Sequence, residues 1–169
     1  MPATIPGLDA RTLLQKGVDV GPGDNVFVRK APGVMKDLMT DFPDLAVEHA
    51  AAILGNIGQE CGGFTQLEQQ GGGGRGWCQW DGERRTAFFA FADKNGLPHE
   101  SDEANYGYLR HELKDTSEGQ VLQALKKDTT LEGAVKTFND VFERSGKPMM
   151  DKRVRYAQLA LEAFKISSA

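Results

Sequence analysis

Nowhere in these 169 residues do apolar side chains run far enough to cross a bilayer. The first residues, MPATIPGLDARTLLQK, also lack the basic stretch and apolar run of a secretory signal. The expectation is a chain made in the cytosol that does not insert into a membrane. Basic charge is short as well: 20 Lys and Arg against 24 Asp and Glu leave a formal net charge of −4. That balance argues against a dedicated nucleic-acid binder. Cysteine is scarce. Cys61 and Cys78 are too few for a disulfide scaffold or a zinc site; they either fill small buried spaces or pair to close a short loop, and their spacing does not choose. The three histidines, His49, His99 and His111, stand on separate segments without metal-ligand spacing, so no metal is expected. No Gly-x-Ser-x-Gly elbow is present, and neither cysteine has the neighbours of a papain-like nucleophile.

What is present is an ordinary globular composition, 40% apolar and 26% charged, at a length suited to one domain with a real core. Residues 1–43 read as an N-terminal arm with short helices packed on that domain, and residues 44–169 as its main region. Pro2, Pro6, Gly7, Gly17, Gly21, Pro22 and Gly23 break the first 24 residues, leaving one short helix near residues 10–16. A second covers residues 33–40 and stops before Phe42-Pro43. Asp44 is placed to cap a central helix over residues 45–61. There Val47, Ala50, Leu54, Ile57 and Cys61 recur at three- and four-residue steps, and Ala46 and Ile53 widen the stripe. Only Glu48, His49, Asn56, Gln59 and Glu60 leave polar surface on it, so it reads as a core helix. Residues 62–80 hold seven glycines and no helical period, which predicts a loop with a small irregular hairpin near residues 75–80. Helices follow at about 83–94, 102–115, 119–126, 131–144 and 151–166, the fourth of these capped by Thr129 or Thr130. The fold class is mainly α. Lys126-Lys127-Asp128 and Lys152-Arg153-Val154-Arg155 read as solvated faces.

The run Gly58-Gln59-Glu60-Cys61-Gly62-Gly63-Phe64 carries the chemistry. It sets Glu60 on the last turn of the apolar helix, seven residues beyond Ile53 and therefore at the edge of the buried face. The partial negative charge of a helix C-terminus and sparse hydration both disfavour carboxylate ionisation. A general acid that must keep its proton near neutrality needs such surroundings; a helix-end acid turned to water is the alternative. The glycine run at 71–76 fails as a phosphate loop, because no Gly-Lys-Ser/Thr follows and no strand precedes it. In Trp77-Cys78-Gln79-Trp80-Asp81 two indoles flank an amide and an acid, the mixture of flat apolar surface and hydrogen-bonding groups that a sugar ring requires; at least one indole should be core. Asp81, with Gly82 after it, is either the N-cap of the next helix or an acid of the site.

Together these segments resemble a known family. Residues 56–64, the glycine-rich gap, Gly76-Trp77-Cys78-Gln79-Trp80, Arg84-Arg85, Tyr108-Leu109-Arg110-His111-Glu112-Leu113 and Phe142-Glu143-Arg144-Ser145-Gly146-Lys147-Pro148, with Arg155 and Ala157 beyond, are similar to the phage tail-type lysozymes, over about residues 44–162. That family is a branch of the lysozyme-like superfamily related to goose-type lysozymes and soluble lytic transglycosylases. The resemblance implies a lysozyme-like fold around a central buried helix. It matches Glu60 to the catalytic acid, Gln79 to the cleft glutamine, and Trp80 and Phe64 to cleft walls; Trp77 and Tyr108 complete the expected substrate-binding set. Cys61 departs from the family's usual serine, and Cys78 from its usual small or apolar residue.

The activity implied is that of a monomeric, cofactor-free muramidase acting on peptidoglycan glycan strands. It would be a phage endolysin held in the host cytoplasm until a holin opens the membrane, or else part of a virion tail. A second carboxylate opposite Glu60 (Asp81, or Glu68 or Glu83) would make it an inverting hydrolase. Without one, attack by the muramic 6-hydroxyl gives 1,6-anhydro products, as in lytic transglycosylases. A non-catalytic wall-binding or tail module, and a chitinase-like glycosidase, are the other readings. All the enzymatic readings require Glu60 to face an open groove and to stay uncharged there.

Overall fold

The computed structural model describes residues 8–168, so Pro2, Pro6 and Gly7 lie outside the described residues. Among the described residues there are eight α-helices and no strand. Helix α1 (Ala10–Gln15) starts at Asp9, whose carboxylate accepts the Thr12 amide. Helix α2 (Asn25–Asp41) begins eight residues before the short helix expected at 33–40. Pro32 lies inside it, although proline removes a backbone donor and is normally read as a helix boundary. The expectation of a short helix missed the turns before residue 33. Phe27, Val28, Ala31, Val34, Met35 and Leu38 form a buried stripe at helical spacing through the proline, and burial of that face outweighs the missing bond.

Helix α3 (Val47–Glu60) is the core helix, with every residue from His49 to Gly58 buried. Its cap is not Asp44, which instead pairs with Lys126 at 3.2 Å. The His49 ring reaches back, Nδ1 accepting the Ala46 amide at 3.2 Å while Nε2 lies 3.1 Å from the Asp128 carbonyl. A proton on Nε2 satisfies both contacts. The remaining helices are α4 (Gly82–Lys94), α5 (Asp102–Asp115), α6 (Gln120–Leu125), α7 (Leu131–Phe138) and α8 (Met150–Ser167). Thr130 caps α7 by accepting the Gly133 amide. The helix expected to run unbroken to residue 144 changes after Phe138 into a wider π-helical turn, Asn139–Glu143, and Arg144 ends it in the left-handed region at φ +52°.

α3 packs most extensively against α8, and also against α7 and α2. The close approach to α8 depends on glycine. A Cβ at Gly55 would lie 2.5 Å from the Arg153 carbonyl oxygen and 2.6 Å from the Ala157 Cβ, so only a hydrogen fits between the two backbones. The loop after α3 folds into the small irregular hairpin expected, with isolated antiparallel bridges pairing Arg75 with Trp80 and with Glu68. Among the described residues no helix is long and apolar enough to cross a membrane.

Candidate active site

Glu60 closes the last turn of α3, and its side chain is 16% exposed. The apolar surroundings expected for it are not what the structure provides. Arg153, the fourth residue of α8, donates from Nη2 to Glu60 Oε2 at 2.5 Å. The sequence reading had placed Arg153 on a solvated face, yet its side chain is 1% exposed. The physical reason is its position on the α8 stripe, four residues before Ala157 and seven before Ala160, both fully buried. A buried guanidinium needs acceptors, and three are supplied. Nε donates to the Pro148 carbonyl, Nη1 to Asn56 Oδ1 at 3.0 Å, and Nη2 to Glu60. Asn56 is in turn fixed by donating to the Ala52 and Val135 carbonyls, which ties α3 to α7.

A second carboxyl feels the charge of this pair. Glu143 ends the π-helical turn after α7, and its Oε1 is sealed from water with no hydrogen-bond partner among the described residues. Burial first, and the charge of nearby Glu60 second, hold the Glu143 carboxyl well above the usual carboxylate range, against the opposing pull of Arg84 and Arg153. Sequence reasoning missed both Arg153 and Glu143. The helical step from Arg153 to Ala157 and Ala160 could have revealed the first. Nothing in the local pattern announced the second, because the wider turn shifts residue 143 from where a regular helix would put it.

The other residues expected in the site divide sharply. Trp77, Trp80, Phe64 and Tyr108 are all buried, so none offers an open ring face for a sugar. Trp80 packs against Phe88 and Tyr108, with centroids 4.6 and 4.9 Å away, and its Nε1 donates to Glu112 at 2.8 Å. Arg84 grips the same buried Glu112 through Nε and Nη2 at 2.9 and 2.8 Å, and its Nη1 donates to the Phe142 carbonyl. An indole in a loop needs somewhere to put its N–H, and this buried acid supplies it. Trp77 meets Phe64 edge-on, with centroids 5.0 Å apart, and Phe64 stacks on Phe27. These rings form the wall behind the loop rather than the lining of an open groove.

Gln79 lies on the hairpin, donating to the Gly76 and Gln66 carbonyls at 2.8 and 3.3 Å. Both Gln79 and Phe64 hold left-handed backbone, at φ +50° and +72°, a strained geometry for residues with side chains. Asp81 is the N-cap residue of α4, accepts the Gly82 amide, and lies 3.6 Å from Arg85. Its side chain is 64% exposed. Glu68 stands exposed beside Arg75, and Glu83 is exposed in the first turn of α4. Neither cysteine is bonded to the other. Cys61 and Cys78 are both free and buried, and burial pushes the Cys61 thiol up to about 12. Cys61 donates to the Ile57 carbonyl.

The arrangement therefore has a carboxyl at a helix end paired with one buried guanidinium, a second carboxyl with one oxygen shielded from water, and a strained glycine-rich loop next in the chain. Among the described residues no group of His, Cys, Asp and Glu could hold a metal ion. No curated protein and no solved structure matches the chain. A family model does, over residues 34–164, a span that runs from the middle of α2 through Glu60, the hairpin and Glu143 into the last turn of α8. The chain belongs to the phage tail lysozyme family.

Proposed function

We propose that the protein is a muramidase in which Glu60 protonates the glycosidic oxygen between N-acetylmuramic acid and N-acetylglucosamine. Family membership supports a lysozyme-like enzyme acting on peptidoglycan. The observation that carries the assignment to Glu60 is its position: a carboxyl at the end of the core helix, partly open to solvent, and in contact with a buried charge cluster. The C1–oxygen bond breaks as the Glu60 proton passes to the leaving oxygen. Developing positive charge on the sugar then meets the negative charge left on Glu60.

In the hydrolytic course, water adds to C1 and gives its proton to a base. Asp81 is the proposed base, being exposed and next to the hairpin. One observation favours a second course. Asp81 Oδ1 is engaged by both the Gly82 amide and Arg85, and without a free base the muramic 6-hydroxyl attacks C1 and loses its own proton to solvent. Products of digested glycan separate the two, since 1,6-anhydro ends are lighter by one water. Glu60→Gln is the test of the enzyme itself. The variant should lose lysis of chloroform-treated cells by several orders of magnitude while folding normally; lysis equal to wild type would overturn Glu60 as the acid, and wild-type protein that binds sacculi without lysing them would be a non-catalytic wall-binding module.

The proposed route to the wall is release from the host cytoplasm through a holin-opened membrane. Carriage in the virion tail is the alternative, a question for immunoblots of purified particles.

A further inference from the structure

The four aromatic side chains expected to receive the sugar, Phe64, Trp77, Trp80 and Tyr108, are buried, so apolar contact with a sugar ring must come from elsewhere. Among the described residues three large hydrophobic side chains are exposed: Leu14 at 60%, Val26 at 39% and Met149 at 45%. Leu14 and Val26 belong to α1 and the first turn of α2, before the span matched by the family model. Met149 lies inside that span. We propose that Met149 is a substrate-binding residue of this site, laying its thioether side chain on the apolar face of a sugar ring next to the glycosidic oxygen that Glu60 protonates. The inference deepens the muramidase reading and rests on Glu60 being the general acid.

Arg153 ties Met149 to Glu60. Its Nε donates to the Pro148 carbonyl and its Nη2 to Glu60 Oε2, each at 2.5 Å. Two oxygens held at such distances by one planar guanidinium lie within about 7 Å of each other. Met149 follows Pro148 directly, so its side chain starts at the rim of the site. The segment that carries it is fastened at both ends. Arg144 donates to the two Glu118 carboxylate oxygens at 2.8 and 3.1 Å, and Ser145 Oγ bridges the Lys147 amide and carbonyl at 3.2 and 2.8 Å. At the other end the Met149 carbonyl accepts the Lys152 and Arg153 amides that open α8. Met149 itself holds left-handed backbone at φ +49°, a geometry that glycine adopts without strain. Strain and exposure both count against stability at this position, and cover by a sugar ring removes the second. Because the backbone is already fixed, the contact orders little besides the side chain, and an unbranched thioether adapts to an uneven ring face.

The test measures cleavage of peptide-free glycan chains, prepared by stripping the stem peptides from peptidoglycan. It compares wild type with Met149→Ala, Met149→Gly, Met149→Leu and Glu60→Gln. Met149→Ala and Met149→Gly should raise KM by about fivefold or more while kcat stays within about twofold, the pattern left when a contact made equally in the ground and transition states is lost. Met149→Leu keeps the apolar surface and should stay within about twofold of wild type in both constants. Melting temperature supplies a readout that a structural role would move the other way. Met149→Gly relieves the left-handed strain and should melt no lower than wild type while its KM rises. Wild-type KM for the alanine and glycine variants overturns the proposal, as does a KM rise confined to variants that also melt several degrees lower. Glu60→Gln separates the two claims. If it is inactive while Met149→Ala keeps the wild-type KM, only the role of Met149 fails; if it cleaves at the wild-type rate, the reading of Glu60 as acid fails and this assignment with it.

Discussion

Arg153 decides the character of the site. Its guanidinium joins the Pro148 carbonyl, Asn56 and Glu60, and no smaller cation could reach all three in one plane. Removing it strands charge where water cannot compensate. Arg153→Met should therefore lower unfolding stability by about 3–5 kcal/mol, the range for breaking a buried ion pair, as read from urea denaturation. A loss below about 1 kcal/mol would mean that the cluster is solvated and that its charges are not coupled through burial. Trp80 teaches a parallel lesson. Its indole looked like a sugar platform because it sits in a glycine-rich loop, but its N–H is held by Glu112 and its faces by Phe88 and Tyr108. It holds the hairpin to α4 and α5.

At the level of elements, the pairing of α3 with α8 brings Glu60 and Arg153 together. The two helices lie close because Gly55 presents no side chain to the Arg153 carbonyl and Ala157. Alanine has the better helix propensity, by about 1 kcal/mol. Against that, a Cβ 2.5 Å from a backbone oxygen requires α8 to shift, and overpacking of this kind costs about 1–3 kcal/mol. Gly55→Ala should thus show a lower melting temperature in calorimetry and, because α8 carries Arg153, reduced lysis as well. A higher melting temperature would show that the interface has slack. The turn after α7 has its own consequence: its π-helical stretch ends at Glu143, whose Oε1 is left away from water.

Across the whole molecule, a retained proton links stability to pH. The folded state holds Glu143 protonated well above the ordinary carboxylate range, whereas the unfolded chain releases that proton near pH 4.3, the usual glutamate value of about 4.3. Below that pH both states are protonated and no difference arises. As pH rises beyond it, folding must keep a proton that the unfolded chain has lost, so the wild type loses stability relative to Glu143→Gln by up to about 1.4 kcal/mol per unit. Melting temperatures of the pair should diverge from pH 4 to pH 7 in favour of the glutamine variant. Parallel curves would show that Glu143 ionises freely in the fold.

The sequence alone determined the helical class, the core helix and most helix boundaries, because apolar periodicity, caps and glycine breaks are local signals. Helix α5 was predicted at its observed limits, and Glu60 stood out by its place before Gly62-Gly63. Local signals misled where burial is set by distant partners. The helix expected at 33–40 begins at Asn25 and carries Pro32 inside it, its apolar face held by the core, and Arg153 looked solvated because its partners Asn56 and Glu60 are nearly a hundred residues away. Tertiary structure decided which acid pairs with Arg153, which rings are buried, and that Asp81 stands at the start of a helix. Charge and exposure depend on what the rest of the chain places alongside a residue, and no window of neighbouring residues contains that information.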